Sequence, residues 1–534
     1  LTFNYLAIMK IKRIFKVLAL AGVLAVPTTS CSDWLDVKMS DKIMENTLFS
    51  TNNGFMTALN GVYMGMVDVY GDDLSVGMID VMAQYYDMVN GNHNYKVFAN
   101  YLYGDDAFKT KSNTIWTKMY ALLANVNNLI EHCDEEGSAL RPEYYPVVKG
   151  EALALRAMMH FDLVRLYGPS YNENTKSEIS IPYQEDAKRD ISPLRSAEYI
   201  VDRVIEDLKA ASELLKDNDP IFTTGVGNAV VSDDGLERAD FTYRQLRLNY
   251  FAVQTLMARA YLWKGDKSTA YRIVMEEVIK RNQVDEEKMI FPWATEAQVL
   301  AEEKHDLLFS SDVFFAIYHS KRTQLDSRYF TGALPKTSRL AFVGTNVSNS
   351  QLSVIFDDPN NDWRSTLMWA VQTTSGESSG GDDDDDDDDE GKGDTGSSLY
   401  LLKYGDAGRE AELDGTETYL YMIPLIRLSE AYLIAAECAA TPEEALEYLT
   451  VIREHRNCHI ALTATSMDEV KELVTKEFVR EVLGEGQLFF YYKRQNLEVF
   501  LDGSVIGGKY EMQTDNYKWP LPDVEINKRG STNN

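Results

Sequence analysis

The sequence predicts a mainly α fold of paired helices interrupted by long, loop-rich excursions. Three observations carry that expectation. Apolar residues recur at steps of three and four over many stretches, two pairs of these stretches join through short turns, and residues 281–423 lose the period. With 45% hydrophobic and 25% charged residues in 534, the chain is apolar enough to bury a sizeable core. Its net charge of -30 argues against a nucleic-acid partner, because phosphate binding draws affinity from clustered Lys and Arg.

At the front, Lys10, Lys12, Arg13 and Lys16 precede the apolar run Val17 to Val26, followed by Pro27, Thr28, Thr29, Ser30 and Cys31. A basic segment, an apolar segment and small residues, in that order, read as a signal peptide over 1–30, with translation expected to start at Met9. The apolar run is about half the ~20 residues that a membrane-crossing helix needs. Cys31 sits where a bacterial lipoprotein is acylated, although Thr28 replaces the usual Leu three places earlier. Two or more acyl chains on that residue would anchor the chain stably in a lipid bilayer.

Further on, Ala152, Leu155, Met159, Leu163 and Leu166 form one stripe along a helix from Glu151 to Tyr167, and Gly168-Pro169 stops it. Ala197 to Leu215 repeats the pattern. Leu248 to Trp263 and Thr269 to Ile279, turned by Gly265-Asp266, form one helical hairpin; Pro424 to Ala439 and Glu443 to His455, turned by Thr441-Pro442, form another. Ala260 and Ala270 in the first hairpin match Ala435 and Ala445 in the second, and small residues at such points let helices approach closely. That is the packing logic of tetratricopeptide repeats, here degenerate. A further stripe runs over Val470 to Leu483. The prolines, glycines and serines of 281–423 read as loops and short strands, where binding residues tend to sit. Within them, Asp382 to Asp389 and Glu390 repel one another and belong to an acidic, disordered loop near 376–398. The run lacks the spaced ligands and glycine bend of a calcium loop.

Catalytic and metal motifs are weak. Gly503 to Tyr510 has P-loop spacing but ends in Tyr where a hydroxyl ligand for magnesium is needed, so it reads as a loop. His455 and His459 are four apart, without a visible completing ligand, and read as imidazoles at the negative pole of a helix. No catalytic residue, metal or cofactor is predicted. Cys133, Cys438 and Cys458 are expected to be unpaired, the last two lying on the order of 20 Å apart. Aromatic residues are abundant, with 31 Tyr, 21 Phe and 7 Trp. Sugar rings present apolar C–H faces edged by hydroxyls, which suit aromatic platforms with polar neighbours. Tyr86, Tyr95, Tyr101, Trp293, Trp363 and Trp369 lie on expected loops and are the candidate glycan contacts.

Four segments then resemble the SusD/RagB family of Bacteroidetes: Lys149 to Gly168 (KGEALALRAMMHFDLVRLYG), Arg427 to Glu437 (RLSEAYLIAAE), Arg480 to Phe490 (REVLGEGQLFF) and Trp519 to Ile526 (WPLPDVEI). The similarity runs from about Trp34 to the end and divides the mature chain into a SusD-like helical region at 31–280 and a RagB/SusD region at 281–534. The resemblance implies a SusD-like helical fold and a lipoprotein exposed on the outer membrane, a placement that Asp33 after Cys31 also resembles. It implies an oligosaccharide ligand and a SusC-like TonB-dependent barrel as partner. It names no ligand residue in this chain. Three readings stand: capture of oligosaccharides for that barrel without catalysis, a structural lid or peptide-binding member without glycan contact, and a surface hydrolase. From spacing, Arg156 with Glu151 and Arg427 with Glu430 read as scaffold ion pairs, and Trp519-Pro520-Leu521-Pro522 reads as an extended strap.

Overall fold

The computed structural model describes residues 39–188, 190–226, 241–286, 288–301, 305–372, 398–405 and 418–530. The signal segment, Cys31 and the aspartate run lie outside the described residues. Among them, helices dominate: α1 (Asn52–Tyr70), α2 (Asp106–Asp134), α3 (Tyr145–Tyr167), α4 (Ala197–Leu215), α5 (Tyr250–Trp263), α6 (Lys267–Ile273), α7 (Leu428–Cys438), α8 (Pro442–Glu454), α9 (Met467–Glu481) and α10 (Leu488–Gln495). Side-chain oxygens close several N-termini, as when Thr51 accepts from the Gly54 amide at 3.1 Å and Asn249 from the Ala252 amide at 3.1 Å. The C-terminus of α3 is capped by a buried lysine. Lys493 donates to the carbonyls of Arg165 and Gly168, both at 2.7 Å, where the helix leaves acceptors unsatisfied.

The two predicted hairpins are α5 with α6 and α7 with α8, and α7 packs on α6 and on its π-helical continuation Val274–Ile279. Ala260, Ala270, Ala435 and Ala445 are all fully buried in this stack, the close approach that their size predicted. Helix α3 is buried nearly all round, flanked by α2 and α4, and Gly150 lets α4 approach: a methyl there would sit 2.9 Å from Leu215 Cγ.

One predicted boundary is corrected. Pro424 lies within a strand, Met422–Arg427, antiparallel to Val313–Tyr318 with Ile423 opposite Ile317, and α7 begins only at Leu428. An apolar run buried on every side carries no period that separates strand from helix. The strands Asn349–Ser350, Ala341–Asn346, Ser398–Leu401 and Trp369–Gln372, in that spatial order, form a small antiparallel sheet. Gly503 to Tyr510 spans the turn of a hairpin between Val499–Leu501 and Lys509–Glu511, and Gly503 is pressed against the Tyr85 backbone.

The predicted ion pairs also change partners. Arg156 grips Asp207 through two bonds of 2.7 Å, and Glu151 takes Arg244 at 2.5 Å. Glu430 takes Arg259 at 2.6 Å, while Arg427 bonds Asp312 at 2.9 Å and also pairs with Glu485. These side chains are buried between elements, so tertiary neighbours replace the local ones that helical spacing offers on an exposed face. Asp312 continues to Arg456 at 2.7 Å, Arg456 to Glu481 at 2.9 Å, and Arg364 bridges Glu481 and Glu477 at 2.7 and 2.6 Å. The result is a buried lattice of alternating charge. Burial raises the Glu481 carboxyl, but the Arg456 and Arg364 guanidiniums outweigh it and hold the group well below the usual carboxylate range.

The loop between α9 and α10 explains the Arg480 to Phe490 segment. Gly484 and Gly486 take φ of +74° and +71°, and Asp80 accepts from their amides at 2.8 and 3.1 Å. A methyl on Gly486 would stand 2.2 Å from the Leu74 carbonyl oxygen. This tight loop presents Glu485 to Lys403 at 2.6 Å and to Arg427, so the segment is built for the interior. At the C-terminus, Trp519 is buried between the rings of Phe108 and Tyr167, at centroid distances of 5.0 and 5.7 Å, and its amide donates to the Leu166 carbonyl. The expected strap is in place.

Candidate functional site

Of the six aromatic candidates, four are buried. Tyr86 packs against Phe330 and Phe342, and Tyr101 donates its hydroxyl to the Met82 carbonyl at 2.6 Å. Trp369 lies tilted against Phe342 at a centroid distance of 4.1 Å and donates to the Arg364 carbonyl, while Trp293 stacks 4.7 Å from His455 beside the Arg456 guanidinium. In this conformation no sugar ring reaches their faces, and the expectation that they form exposed platforms is corrected: loop aromatics here supply the apolar mass that loop backbone lacks. Trp363 is half-buried at the start of a single helical turn, its amide bonded to the Arg456 carbonyl at 3.0 Å. Tyr95 is half-buried as well, and it belongs to a group that the other five do not join.

That group runs along one end of the molecule. Tyr318, 46% exposed, ends the strand Val313–Tyr318, and its ring lies 5.1 Å from Tyr421, which precedes the paired strand. His319 donates its amide to the Tyr421 carbonyl at 2.8 Å, and its ring lies 3.0 Å from where a methyl on Gly71 would be. Next comes Asp72, whose carboxylate accepts from Arg328 and from the Tyr329 hydroxyl. The Tyr329 ring is 5.7 Å from Tyr95. Burial pushes the His319 imidazole below the usual histidine range, although the Asp72 carboxylate pulls the other way, so the ring is neutral at pH 7.

The local backbone explains how the group is held. Arg328 and Tyr329 lie on a π-helical stretch, Asp326–Phe330, and such wide turns re-aim side chains and recur at functional sites. The Asp72 backbone carbonyl accepts from the amides of Ser75, Val76 and Gly77, fixing the turn that follows α1. Gly77 makes room: a methyl there would meet the Tyr329 hydroxyl at 2.7 Å and Asp72 Oδ1 at 2.9 Å. Asp73 bonds Lys111 at 2.8 Å, and Asp68 bonds Lys118 at 2.6 Å.

The strip lies far from the first described residues. Glu45 pairs with His132 near the end of α2, and Asn52 accepts from the Arg141 amide, whereas Asp73 and Asp68 pair near the start of α2. Helices α1 and α2 are therefore antiparallel, and at 1.5 Å per residue the 19 residues of α1 separate its N-terminal end from the strip by roughly 28 Å. A second recess, a groove of about 450 Å³, lies beside the C-terminal strap among Tyr103, Tyr167, Ile179, Leu194, Trp519 and Leu521. Its one charged wall residue, Lys518, is tied to Glu178 at 2.8 Å.

Chemically, the strip offers half-exposed rings edged by a carboxylate, a guanidinium and tyrosine hydroxyls, a combination suited to a ligand with apolar faces and hydroxyl rims. Of the candidates read from sequence only Tyr95 falls in this group; Tyr318, Tyr421, His319, Asp72 and Arg328 are not among them. Tyr318 ends the apolar run Val313–Tyr318, whose other five residues are buried, so its exposure shows only in the fold. Among the described residues, no three His, Cys, Asp or Glu side chains are grouped to hold a metal ion, and His455 and His459 bond the Val451 carbonyl and Asn457 instead. Cys133, Cys438 and Cys458 are free thiols. No helix among the described residues is long and apolar enough to cross a membrane.

Comparison with known proteins supplies the family. Residues 33–224 match a SusD-like family described as starch-binding, associating with outer membrane, and residues 341–532 match the SusD family. A SusD-like protein of Formosa agariphila is 24% identical over 545 residues, covering 95% of each chain. A SusD superfamily crystal structure from Bacteroides thetaiotaomicron aligns with a TM-score of 0.64 at 19% identity, over 89% of this chain and 98% of its own. A SusD-like carbohydrate binding protein from Bacteroides vulgatus aligns at 0.61 and 16%, over 89% and 96%. With both family profiles matched in order along one helical scaffold, the chain belongs to the SusD/RagB family.

Proposed function

We propose that the protein is a non-catalytic, surface-exposed lipoprotein, anchored through acylated Cys31, that captures oligosaccharides and passes them to a SusC-like TonB-dependent barrel in the outer membrane. The observation that carries this reading is the strip of Tyr95, Tyr318, His319 and Tyr421 around the Asp72–Arg328 pair, at the C-terminal end of α1. The carbohydrate-binding description of the Bacteroides vulgatus structure supports the same class of ligand. Isothermal calorimetry of the mature chain against a glycan panel tests it: binding that falls in Tyr95→Ala and Tyr318→Ala, with the glycan recovered at its original length, is the expected result. Release of new reducing ends would favour the hydrolase reading instead.

A second reading, a structural lid of the barrel or a peptide-binding member without glycan contact, draws support from the burial of Tyr86, Tyr101, Trp293 and Trp369. It predicts barrel association and normal ligand uptake in a Tyr95→Ala, Tyr318→Ala double variant.

A further inference from the structure

The cations that flank Asp72 are tied to carboxylates. Arg328, with a 53% exposed side chain, donates to Asp72; Lys111 bonds Asp73 and Lys118 bonds Asp68. Lys96, beside Tyr95, donates to the Val89 carbonyl at 3.2 Å, Lys321 is exposed, and His319 adds no charge at pH 7. Asp72 also follows the C-terminal end of α1, where the helix dipole adds negative potential. A uronate or a sulfate ester brought onto the rings therefore meets carboxylate, while the guanidinium in its path is already occupied. Neutral hydroxyls meet no such opposition, since they donate to a carboxylate as readily as they accept from a guanidinium.

We infer that the strip selects neutral oligosaccharides over uronate-bearing and sulfated ones, and that Asp72 sets this choice by holding Arg328 neutralised. The inference rests on the strip being the glycan site. Asp72 discriminates through both of its contacts, repelling an anionic sugar itself and withholding the one exposed guanidinium that would welcome it. Replacing Asp72 by Asn keeps an acceptor for Tyr329 and leaves the backbone carbonyl of the turn in place, yet releases the Arg328 charge.

The test is calorimetry of the full mature protein with three oligosaccharide sets of equal length: neutral glucans and xylans, oligogalacturonates, and sulfated galactans. Wild type should bind at least one neutral set and neither acidic set, with affinity little changed between low and physiological salt. Asp72→Asn should raise affinity for an acidic set by about tenfold or more, and the gain should vanish at high salt and in the Asp72→Asn, Arg328→Gln double variant. Wild type binding an acidic set as tightly as a neutral one overturns the inference and leaves the glycan reading standing, and so does an Asp72→Asn variant that gains nothing while keeping its fold by circular dichroism. Failure of wild type to bind any of the sets, with peptides bound instead, overturns the glycan reading and the inference together.

Discussion

The buried charge lattice and the aromatic strip use the same residue types to opposite ends. In the lattice, Arg364, Arg427 and Arg456 share Glu477, Glu481, Glu485 and Asp312 in an interior shielded from solvent, so each partner fixes its neighbours. On the strip, Arg328 meets Asp72 with more than half of its side chain in solvent, and the pair orients a turn instead of holding helices together. Arg427, Glu481 and Glu485 of the first region lie in the family-like segments; none of the four segments reaches the second. Charge that specifies the fold and charge that selects a ligand are thus separated in space.

The largest effect should come from breaking the lattice. Removing Glu481 leaves Arg364 and Arg456 short of a shared buried counter-charge, so Glu481→Ala should cost about 3–5 kcal/mol in urea unfolding while Arg328→Gln costs under about 1 kcal/mol. Equal losses at both sites would erase the distinction. Next is acid. Burial opposes ionisation of Glu477 and Glu481, but the surrounding guanidiniums outweigh it and depress both carboxyls in the folded state. Their stabilisation is therefore full above the unfolded glutamate value of about 4.3 and is lost as pH falls through and below it. Melting temperatures should be flat from about pH 7 to 5 and drop below about pH 4, whereas an earlier drop, near pH 6, would point to histidine instead.

On the strip the effects should be on binding. Tyr95→Ala and Tyr318→Ala should each weaken glycan affinity about tenfold, roughly 1.4 kcal/mol, and Tyr318→Ala, at an exposed position, should leave the melting temperature within a few degrees. Unchanged affinity in both would move the ligand elsewhere on the molecule. The smallest effect is expected from Gly77→Ala, whose methyl pushes on Asp72 and Tyr329: affinity should fall about two- to threefold with about 1 kcal/mol of stability lost.

The scaffold was legible because burial imposes a period. Ala260, Ala270, Ala435 and Ala445 predicted the close-packed hairpins from size alone, the Gly168-Pro169 stop fell where α3 ends, and the Thr441-Pro442 turn opens α8. Legibility failed where burial is complete: Pro424 sits in a strand that no period separates from α7, and Glu151, Arg156, Arg427 and Glu430 find partners 51 to 171 residues away or on other elements. Distances along the chain carry no record of such pairings. The strip was legible only at Tyr95, because Asp72, Tyr318, Arg328 and Tyr421 come from separate segments and meet only through the turn after α1 and the paired strand ends. The same blindness selected Tyr86, Tyr101, Trp293 and Trp369, since a loop position says nothing about whether its ring faces the core.

A structure of the protein with a bound oligosaccharide tests the central claim most directly. The account predicts intact sugar rings laid against Tyr95, Tyr318 and Tyr421, with hydroxyls on Asp72 or Arg328. Sugar seated in the groove beside Trp519 with the strip bare, or a cleaved glycosidic bond, would contradict it.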